Sequence, residues 1–210
     1  MKKAIVTAGP TREKIDPVRY ISNYSSGKQG YAIADELVEK GYDVILISGP
    51  VAIEAPAGVT LIDVESAQQM LESVERNLPA DVAVFTAAVC DWRADSISEQ
   101  KMKKTKGQES LQLNLVKNPD ILKNICASPM RPRYVIGFAA ETENMVDNAQ
   151  EKLKAKGCDI IIANDVSRNV FGEDENEAVA LFQDGHVEKI GRMSKTQIAH
   201  RVISLIDKLK

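Results

Sequence analysis

Two periodicities of apolar residues alternate along the chain. Short apolar runs, such as residues 4–9 and 42–49, predict buried strands, whereas residues 27–40 place apolar side chains at the spacing of one helix face. Strands that alternate with amphipathic helices are typical of a parallel sheet covered by helices. The sequence therefore predicts an α/β fold in three layers, with a mostly parallel central sheet flanked by helices.

Boundary signals delimit the predicted elements. Ser66 can cap one helix, Gly41 can end another, and Asp184-Gly185 suits the turn of a hairpin. The strand at 81–89 is apolar throughout and is predicted to be central. The predicted strands are 4–9, 42–49, 59–64, 81–89, 111–116, 134–141 and 159–166, the hairpin is 177–191, and the helices are 27–40, 66–78, 143–156, about 194–209, and one that starts at Asn118-Pro119 with proline in its first turn. This order is Rossmann-like.

One long stretch breaks the alternation. Residues 90–110 are polar and charged without sustained periodicity, and long loops in compact domains are usually functional or disordered. We expect a mobile lid at about 91–108, which would exclude water from a site when it closes. No repeat or linker divides the sequence, so residues 1–210 are predicted to form a single domain.

Composition argues against several classes of partner. The chain has 210 residues, 44% of them hydrophobic and 27% charged, with a net charge of -3. This balance argues against nucleic-acid binding, and no apolar run approaches the roughly 20 residues of a membrane span. Three widely spaced cysteines (Cys90, Cys126 and Cys158) indicate reduced thiols in the cytoplasm, and two histidines argue against a histidine-rich metal site.

The segment "SNYSSGKQGYAIADEL" (22–37) leads from small and polar residues into a helix. Gly27 and Gly30 have the spacing of a dinucleotide-binding loop, but Ser25 stands where the first glycine would be, and Lys28-Gln29 does not complete a P-loop. The N-terminus of a helix nevertheless favours an anion, because its N–H groups and dipole point there. The sequence thus predicts an anion site without saying which anion it binds.

A nicotinamide-dependent reductase is one alternative. Such proteins usually carry an acidic residue at the end of the second strand, where this chain has Ser48-Gly49-Pro50. Tyr24 and Lys28 have the spacing of the reductase Y-x-x-x-K motif. They fall in the first strand–helix turn, however, so we interpret the match as a coincidence.

Lysines form two groups that could balance the charges of a triphosphate. Lys152 and Lys156 are one helical turn apart and share a face. The other group lies in the irregular loop and comprises Lys101, Lys103, Lys104 and Lys106. Solvated surface charge is the alternative explanation for both groups, and the residues alone leave the choice open.

Six motifs in order resemble phosphopantothenoylcysteine synthetase, the second activity of the bifunctional coenzyme A biosynthesis flavoprotein. They are "TAGPTREKIDPVRYISNYSSGKQGYAIA", "AAVCDWR", "KMKK", "LVKNPDIL", "GFAAETEN" and "ANDVS". The resemblance implies a ligase that joins 4′-phosphopantothenate to L-cysteine. It further implies CTP and Mg²⁺ (or Mn²⁺), an acyl-cytidylate intermediate with release of pyrophosphate, and a homodimer.

The resemblance also implies roles for individual residues. Asn23 would hold the acyl intermediate and orient it for the cysteine amine, while Lys101 would balance phosphate charge as the carboxylate is activated. As an alternative, Asn23 is a turn-former in a glycine-rich loop. The nucleotide-binding positions are Ala87, Ala88, Val89, Asp91, Lys101, Pro119, Asp120, Ile121, Leu122, Phe138, Lys152 and Lys156, and the substrate-binding positions are Asn23, Ser25, Ser26 and Gly27.

Two features depart from the resembled family. Cys90 stands where relatives commonly have alanine, which a small side chain can replace. The chain starts at the synthetase's first strand, so we expect neither flavin nor decarboxylation. A catalytically silent nucleotide-binding paralogue is a second alternative to the ligase.

Strands outside the regular alternation give a reason for dimerisation. The strand at 111–116 and the hairpin at 177–190 should leave apolar side chains poorly covered, and pairing across a two-fold axis would bury them. These side chains are Leu111, Leu113, Leu115 and Phe182. The lid of one subunit could then close near Asn23 of its neighbour.

Overall fold

The computed structural model describes residues 1–103, 106–107, 109–141, 143–165 and 175–209. The strands are β1 (Lys2–Ala8), β2 (Arg12–Asp16), β3 (Arg19–Ser22), β4 (Tyr42–Ser48), β5 (Val59–Asp63), β6 (Val82–Phe85), β7 (Trp92–Ala94), β8 (Leu115–Lys117), β9 (Tyr134–Glu141), β10 (Ile160–Asp165), β11 (Glu175–Phe182) and β12 (Val187–Ser194). The helices are α1 (Lys28–Glu39), α2 (Ala67–Arg76), α3 (Ile121–Cys126), α4 (Met145–Lys156) and α5 (Lys195–Leu205), followed by a 3-10 turn, Ile206–Leu209. Lys104 and the last residue of the strand predicted at 159–166 lie outside the described residues.

An eight-stranded sheet runs in the order β12-β11-β10-β9-β6-β1-β4-β5. The six strands from β10 to β5 are parallel, and β11 and β12 add an antiparallel hairpin at one edge. Numbered along the chain, the parallel strands follow the order 3-2-1-4-5-6 of a doubly wound sheet. The central position predicted for the strand at 81–89 is confirmed, because β6 lies between β1 and β9.

Helices cover both faces of this sheet, which confirms the predicted three layers. On one face α1 and α5 pack together, with Ile33, Leu37 and Ile198 in the core. On the other face α2, α3 and α4 bury Met70 and Leu153 against the sheet. Burial of such apolar side chains from both faces is the main term that stabilises the fold.

Local signals in the sequence set the helix ends. Ser66 begins α2 with a capping box in which its side chain accepts from Gln69 N–H, as the sequence predicted. Gly41 follows the end of α1 in a left-handed conformation (φ +78°), which a glycine adopts at no steric cost. Asp120 caps α3 by accepting from Lys123 N–H. Pro119 therefore precedes the cap, and its predicted place in the first turn is wrong.

The hairpin of β2 and β3 is a feature that the sequence did not predict. Its strands pair Arg12 with Ser22 and Asp16 with Arg19 directly after the first strand of the sheet. Lys14 and Tyr20 face each other in this ladder. Polar residues dominate the segment and Pro17 interrupts it, so the periodicity typical of a strand is hidden.

Two predicted strand boundaries and one predicted exposure are corrected. The strand predicted at 111–116 is shorter and later, at Leu115–Lys117, because its partner β7 supplies just three paired residues. The strand predicted at 81–89 ends at Phe85, and the chain beyond it turns away from the ladder. Phe182 is buried, contrary to the prediction, because β11 lies inside the sheet and packs against α5.

Candidate functional site

A cavity of about 870 Å³ lies at the carboxyl ends of the parallel strands. Thr7 of β1, Phe85 of β6, Phe138 of β9 and Asn164 of β10 each contribute to its wall. β1 and β6 are neighbours from the two halves of the strand order, so the cavity sits at the switch point where doubly wound folds bind ligands.

The site residues predicted from the sequence converge on this cavity, with one exception. The lining includes Asn23, Ser25, Ser26, Gly27, Ala87, Ala88, Val89, Asp91, Pro119, Asp120, Ile121, Leu122, Phe138, Lys152 and Lys156. Lys101 is exposed and does not line the cavity. The structure thus brings together segments separated by more than 100 residues, but it places Lys101 elsewhere.

The geometry of the turn before α1 explains why glycine stands at positions 27 and 30. Gly27 has a φ of +78° at the start of α1, and a Cβ at Gly30 would lie 2.5 Å from the Ala8 Cβ and 2.4 Å from the Thr86 Oγ1. Gly30 is therefore required for the close approach of α1 to the sheet. No side chain caps α1 at Gly27, and its first turn faces the cavity, which is the arrangement that favours an anion.

Asn23 follows β3 and is fixed against the segment that follows β6. Its Nδ2 donates to the Ala88 carbonyl at 2.9 Å and lies 3.7 Å from the Cys90 Sγ. The Cys90 N–H donates to the Thr11 Oγ1 at 3.0 Å, which holds the backbone of Cys90 while its thiol lies next to the Asn23 amide. Burial raises the pKa of Cys90, and the charges of Glu13 and Asp91 act in the same direction, which outweighs the hydrogen bond to Thr11. Cys90 is therefore a neutral thiol at neutral pH.

The two lysines predicted to share a helix face are both ion-paired at the cavity wall. Lys152 Nζ lies 2.6 Å from the buried Glu141 Oε1, and Lys156 pairs with Asp120. Lys152 is about half exposed, with 45% of its side chain accessible, so its pair is reachable by a ligand. An anion that enters here would compete with a carboxylate for each ammonium group.

Sequence reasoning missed several polar residues of the lining. Lys28, Lys117 and Lys195 all contribute to the cavity wall. Lys117 lies inside the motif "LVKNPDIL" and Lys28 inside "SSGKQG". Their places in these motifs could have identified them as site residues. Lys195 begins α5, and its place beside α1 depends on a contact between Gln29 and the Lys195 carbonyl that no local pattern predicts.

The loop after β6 is anchored near the cavity. β7 pairs with β8, the Asn118 N–H donates to the Asp91 carbonyl at 2.8 Å, and the Arg93 guanidinium donates to the Lys117 carbonyl. Asp91 is exposed on the cavity wall. The predicted lid movement of residues 91–108 stays a prediction.

The carboxylates of the cavity wall suit a cation that binds together with a phosphate-containing ligand. Among the described residues, no three His, Cys, Asp or Glu side chains form a metal-binding group. Asp91 and Asp120 are the carboxylates on the described lining. Mg²⁺ is commonly held by one or two carboxylates together with substrate phosphates, and this wall could supply that number.

The chemistry of the wall fits a nucleotide. Phe138, Ile121 and Leu122 give an apolar surface for a base, and lysines and the start of α1 give positive charge for phosphates.

A reductase fits less well, because β4 ends at Ser48, whose hydroxyl donates to the Gly49 carbonyl, with no carboxylate for a ribose. Tyr24 is 92% exposed and does not line the cavity.

In the described part of the chain, no helix is long and apolar enough to cross a membrane.

Comparisons with known proteins agree with this fold. The sequence matches the family described as DNA/pantothenate metabolism flavoprotein C-terminal domain over residues 1–209. It is 44% identical over 203 residues to the coenzyme A biosynthesis bifunctional protein CoaBC of Haemophilus influenzae, covering 96% of this chain and 50% of that protein. For the protein of the same name in Bacillus subtilis the identity is 42% over 209 residues, covering 98% and 51%. The chain thus spans about half the length of the curated relatives it matches.

A solved structure gives the same result for the fold. The crystal structure of the C-terminal domain of the coenzyme A biosynthesis bifunctional protein CoaBC superposes with a TM-score of 0.84 at 39% identity. The match covers 99% of this chain and 95% of that domain. The predicted Rossmann-like α/β class is confirmed.

Proposed function

The chain belongs to the family of the DNA/pantothenate metabolism flavoprotein C-terminal domain, and we propose that it is a phosphopantothenate–cysteine ligase. The relatives at 44% and 42% identity are named for coenzyme A biosynthesis. The observation that carries the proposal is the convergence of the predicted nucleotide and substrate residues, all but Lys101, on one cavity at the switch point. The proposed pathway role is the synthesis of 4′-phosphopantothenoyl-L-cysteine.

The reaction is proposed to proceed in two steps. A carboxylate oxygen of 4′-phosphopantothenate attacks the α-phosphorus of CTP, which forms an acyl-cytidylate and releases pyrophosphate. The cysteine amine then attacks the acyl carbon, loses a proton, and displaces CMP. Both reactants of the first step are anions, so the site must offset their repulsion with positive charge.

Cavity residues divide between the two reactants. Phe138 and the 119–122 turn would contact the cytidine, with Asp91 and the Ala87–Val89 backbone near the ribose or base. Lys152 and Lys156 would bind phosphates. Ser25, Ser26 and Gly27 would hold the phosphate of phosphopantothenate at the start of α1, where N–H groups favour an anion. Asn23 would orient the acyl group for the amine.

A divalent cation, Mg²⁺ or Mn²⁺, would accompany CTP. Asp91 and Asp120 are the carboxylates of the described wall, and Asp120 is paired with Lys156. Such a cation would neutralise charge on the triphosphate.

A homodimer is proposed because exposed apolar side chains occur on β7 and on the segment 111–115 that leads into β8. Leu111, Leu113 and Leu115 are 55%, 38% and 42% exposed, and Trp92 on β7 is 46% exposed. Lys101 lies in the same loop, away from the cavity of its own chain. A second copy seated on these leucines would bury them, and Lys101 could then serve the neighbour's cavity. Cytoplasmic location and the absence of flavin and nucleic acid stay predictions.

Pyrophosphate release tests the proposal. The protein is incubated with 4′-phosphopantothenate, L-cysteine, Mg²⁺ and either CTP or ATP. We expect pyrophosphate with CTP and little with ATP, and no oxidation of NADPH. Absence of pyrophosphate with both nucleotides would contradict the ligase, and equal release with ATP would contradict the choice of CTP.

A further inference from the structure

The backbone of Met102, directly after Lys101, is held on both sides by the β2–β3 hairpin. Its N–H donates to the Asp16 Oδ2 at 3.2 Å, and its carbonyl accepts from the Arg19 Nη2 at 2.9 Å. A second contact lies four residues earlier, where the Ser98 N–H donates to the Ile15 carbonyl at 3.0 Å. The loop is therefore attached to the hairpin turn at two points.

The Asp16 carboxylate is buried, and its two oxygen atoms have different partners. Its side chain has 0% exposure, although the loop that it holds is on the surface. Its Oδ1 accepts from the N–H groups of Val18 and Arg19, both at 2.9 Å, which closes the turn between β2 and β3. Its Oδ2 lies 3.6 Å from the Arg19 Nε and accepts from Met102. One oxygen thus forms the turn and the other holds the loop.

We propose that Asp16 is a positioning residue that, together with Arg19, fixes the peptide of Met102 and so sets where Lys101 is presented. The inference rests on the proposed function, in which Lys101 balances phosphate charge during activation of the carboxylate. The Lys101 side chain is exposed. Among the described residues, no hydrogen bond or ion pair holds it. A lysine acting as a mobile point charge gains from a fixed anchor at its Cα, because less freedom is lost when it binds.

Asp16→Asn separates the two tasks of this carboxylate. The asparagine Oδ1 can still accept from Val18 and Arg19, as asparagine does in similar turns. Its NH₂ group would face the Met102 N–H and the Arg19 guanidinium, which are donors, so the hydrogen bond from the Met102 N–H is lost. Glu13→Gln is the matched control, since Glu13 is a buried carboxylate in the same strand whose Oε1 accepts from Ala67 N–H, away from the loop.

The first experiment measures amide hydrogen exchange of the full chain. We expect faster exchange at Met102 in Asp16→Asn, with unchanged exchange in β1, and no change at Met102 in Glu13→Gln. Arg19→Met, which removes the donor to the Met102 carbonyl, should act in the same direction. Unchanged exchange at Met102 in both Asp16→Asn and Arg19→Met would overturn the attachment.

The second experiment measures pyrophosphate release from CTP and 4′-phosphopantothenate. We expect Asp16→Asn to lower kcat about tenfold with KM for CTP unchanged, the scale of a lost interaction with a charged group. In the Lys101→Gln background the same substitution should have no further effect, because Asp16 acts through Lys101. An equal loss in both backgrounds would overturn the positioning role. If the wild-type chain released no pyrophosphate, the proposed function would fail, while the exchange experiment would still decide the attachment.

Discussion

The Asn23 side chain and the Ala88 carbonyl form a hydrogen bond of 2.9 Å at the wall of the cavity. The bond joins the end of the β2–β3 hairpin to the segment after β6, two parts of the chain that the sequence separates by 65 residues. It fixes the amide of Asn23 where the acyl group is proposed to lie.

Asn23→Asp should therefore impair the second step. A carboxylate would oppose the Ala88 carbonyl, and the donor would be lost, so we expect ligation to fall about tenfold to a hundredfold. Pyrophosphate release should fall less. The neighbouring variant Tyr24→Phe is the control, because this side chain is 92% exposed and should change neither step. Normal ligation by Asn23→Asp would reject the assigned role.

Lys156→Met should weaken CTP binding. Removal of an ammonium group that contacts a phosphate is expected to raise KM for CTP about tenfold or more. Steady-state kinetics would measure this change. Lys154→Met is the matched control, since Lys154 lies on the same helix, is exposed, and does not line the cavity. Equal KM values for the two variants would contradict phosphate binding by Lys156.

Leu113→Glu should produce monomers. A charge among the exposed leucines of this segment cannot be buried at an interface without a partner, so association should be lost. Leu61→Glu is the matched control, because Leu61 on β5 has 39% exposure against 38% for Leu113. Sedimentation at micromolar concentration distinguishes the two. A monomeric wild-type chain with full activity would contradict the dimer, and a dimeric Leu113→Glu would contradict this interface.

The thiols of Cys126, which is half-buried, and Cys158, which is buried, should react slowly in the folded protein. Burial raises the pKa of Cys126 to about 11 and that of Cys158 to about 12 from an ordinary value of 9.0. Because the thiolate is the reactive form, alkylation of Cys126 at pH 8 should be about a hundredfold slower than in the unfolded chain. Mass spectrometry of alkylated peptides gives both rates. Equal rates with and without urea would contradict this expectation.

The same pKa shifts predict how stability depends on pH. Above pH 9 the unfolded chain releases thiol protons that the folded chain retains, so the free energy of unfolding should fall as the pH rises from 9 towards 11. Urea unfolding at several pH values would show the decline. Cys158→Ala should reduce its slope, and an unchanged slope would contradict the assignment.

Most of the sheet was predictable because its strands are apolar enough to be recognised one at a time. β1, β4 and β6 are buried runs, and the capping box at Ser66 marks a helix start by local hydrogen bonds. The β2–β3 hairpin was missed because its residues are polar, and its turn is stabilised by the side chain of Asp16. Such a contact leaves no periodicity in the sequence.

The site was predictable where a motif or a regular spacing indicated it. Asn23 lies in a motif of the resembled family, and Lys156 was indicated by its helical spacing from Lys152 before the resemblance gave it a role. Both line the same cavity. The place of Lys101 was not predictable, because it depends on where Asp16 and Arg19 hold the next residue. Lys195 was missed for a related reason, since its position follows from the packing of α5 against α1.

The oxygen atoms of the substrate carboxylate report most directly on the proposed activation. The chain is incubated with CTP, L-cysteine, Mg²⁺ and 4′-phosphopantothenate whose carboxylate carries ¹⁸O in both positions. If the carboxylate attacks the α-phosphorus, one ¹⁸O must leave with CMP, one must remain in the new amide, and pyrophosphate must be unlabelled. We expect mass spectrometry to show this distribution. Unlabelled CMP together with label in phosphate or pyrophosphate would contradict an acyl-cytidylate, and unlabelled CMP without any amide product would contradict the ligase itself.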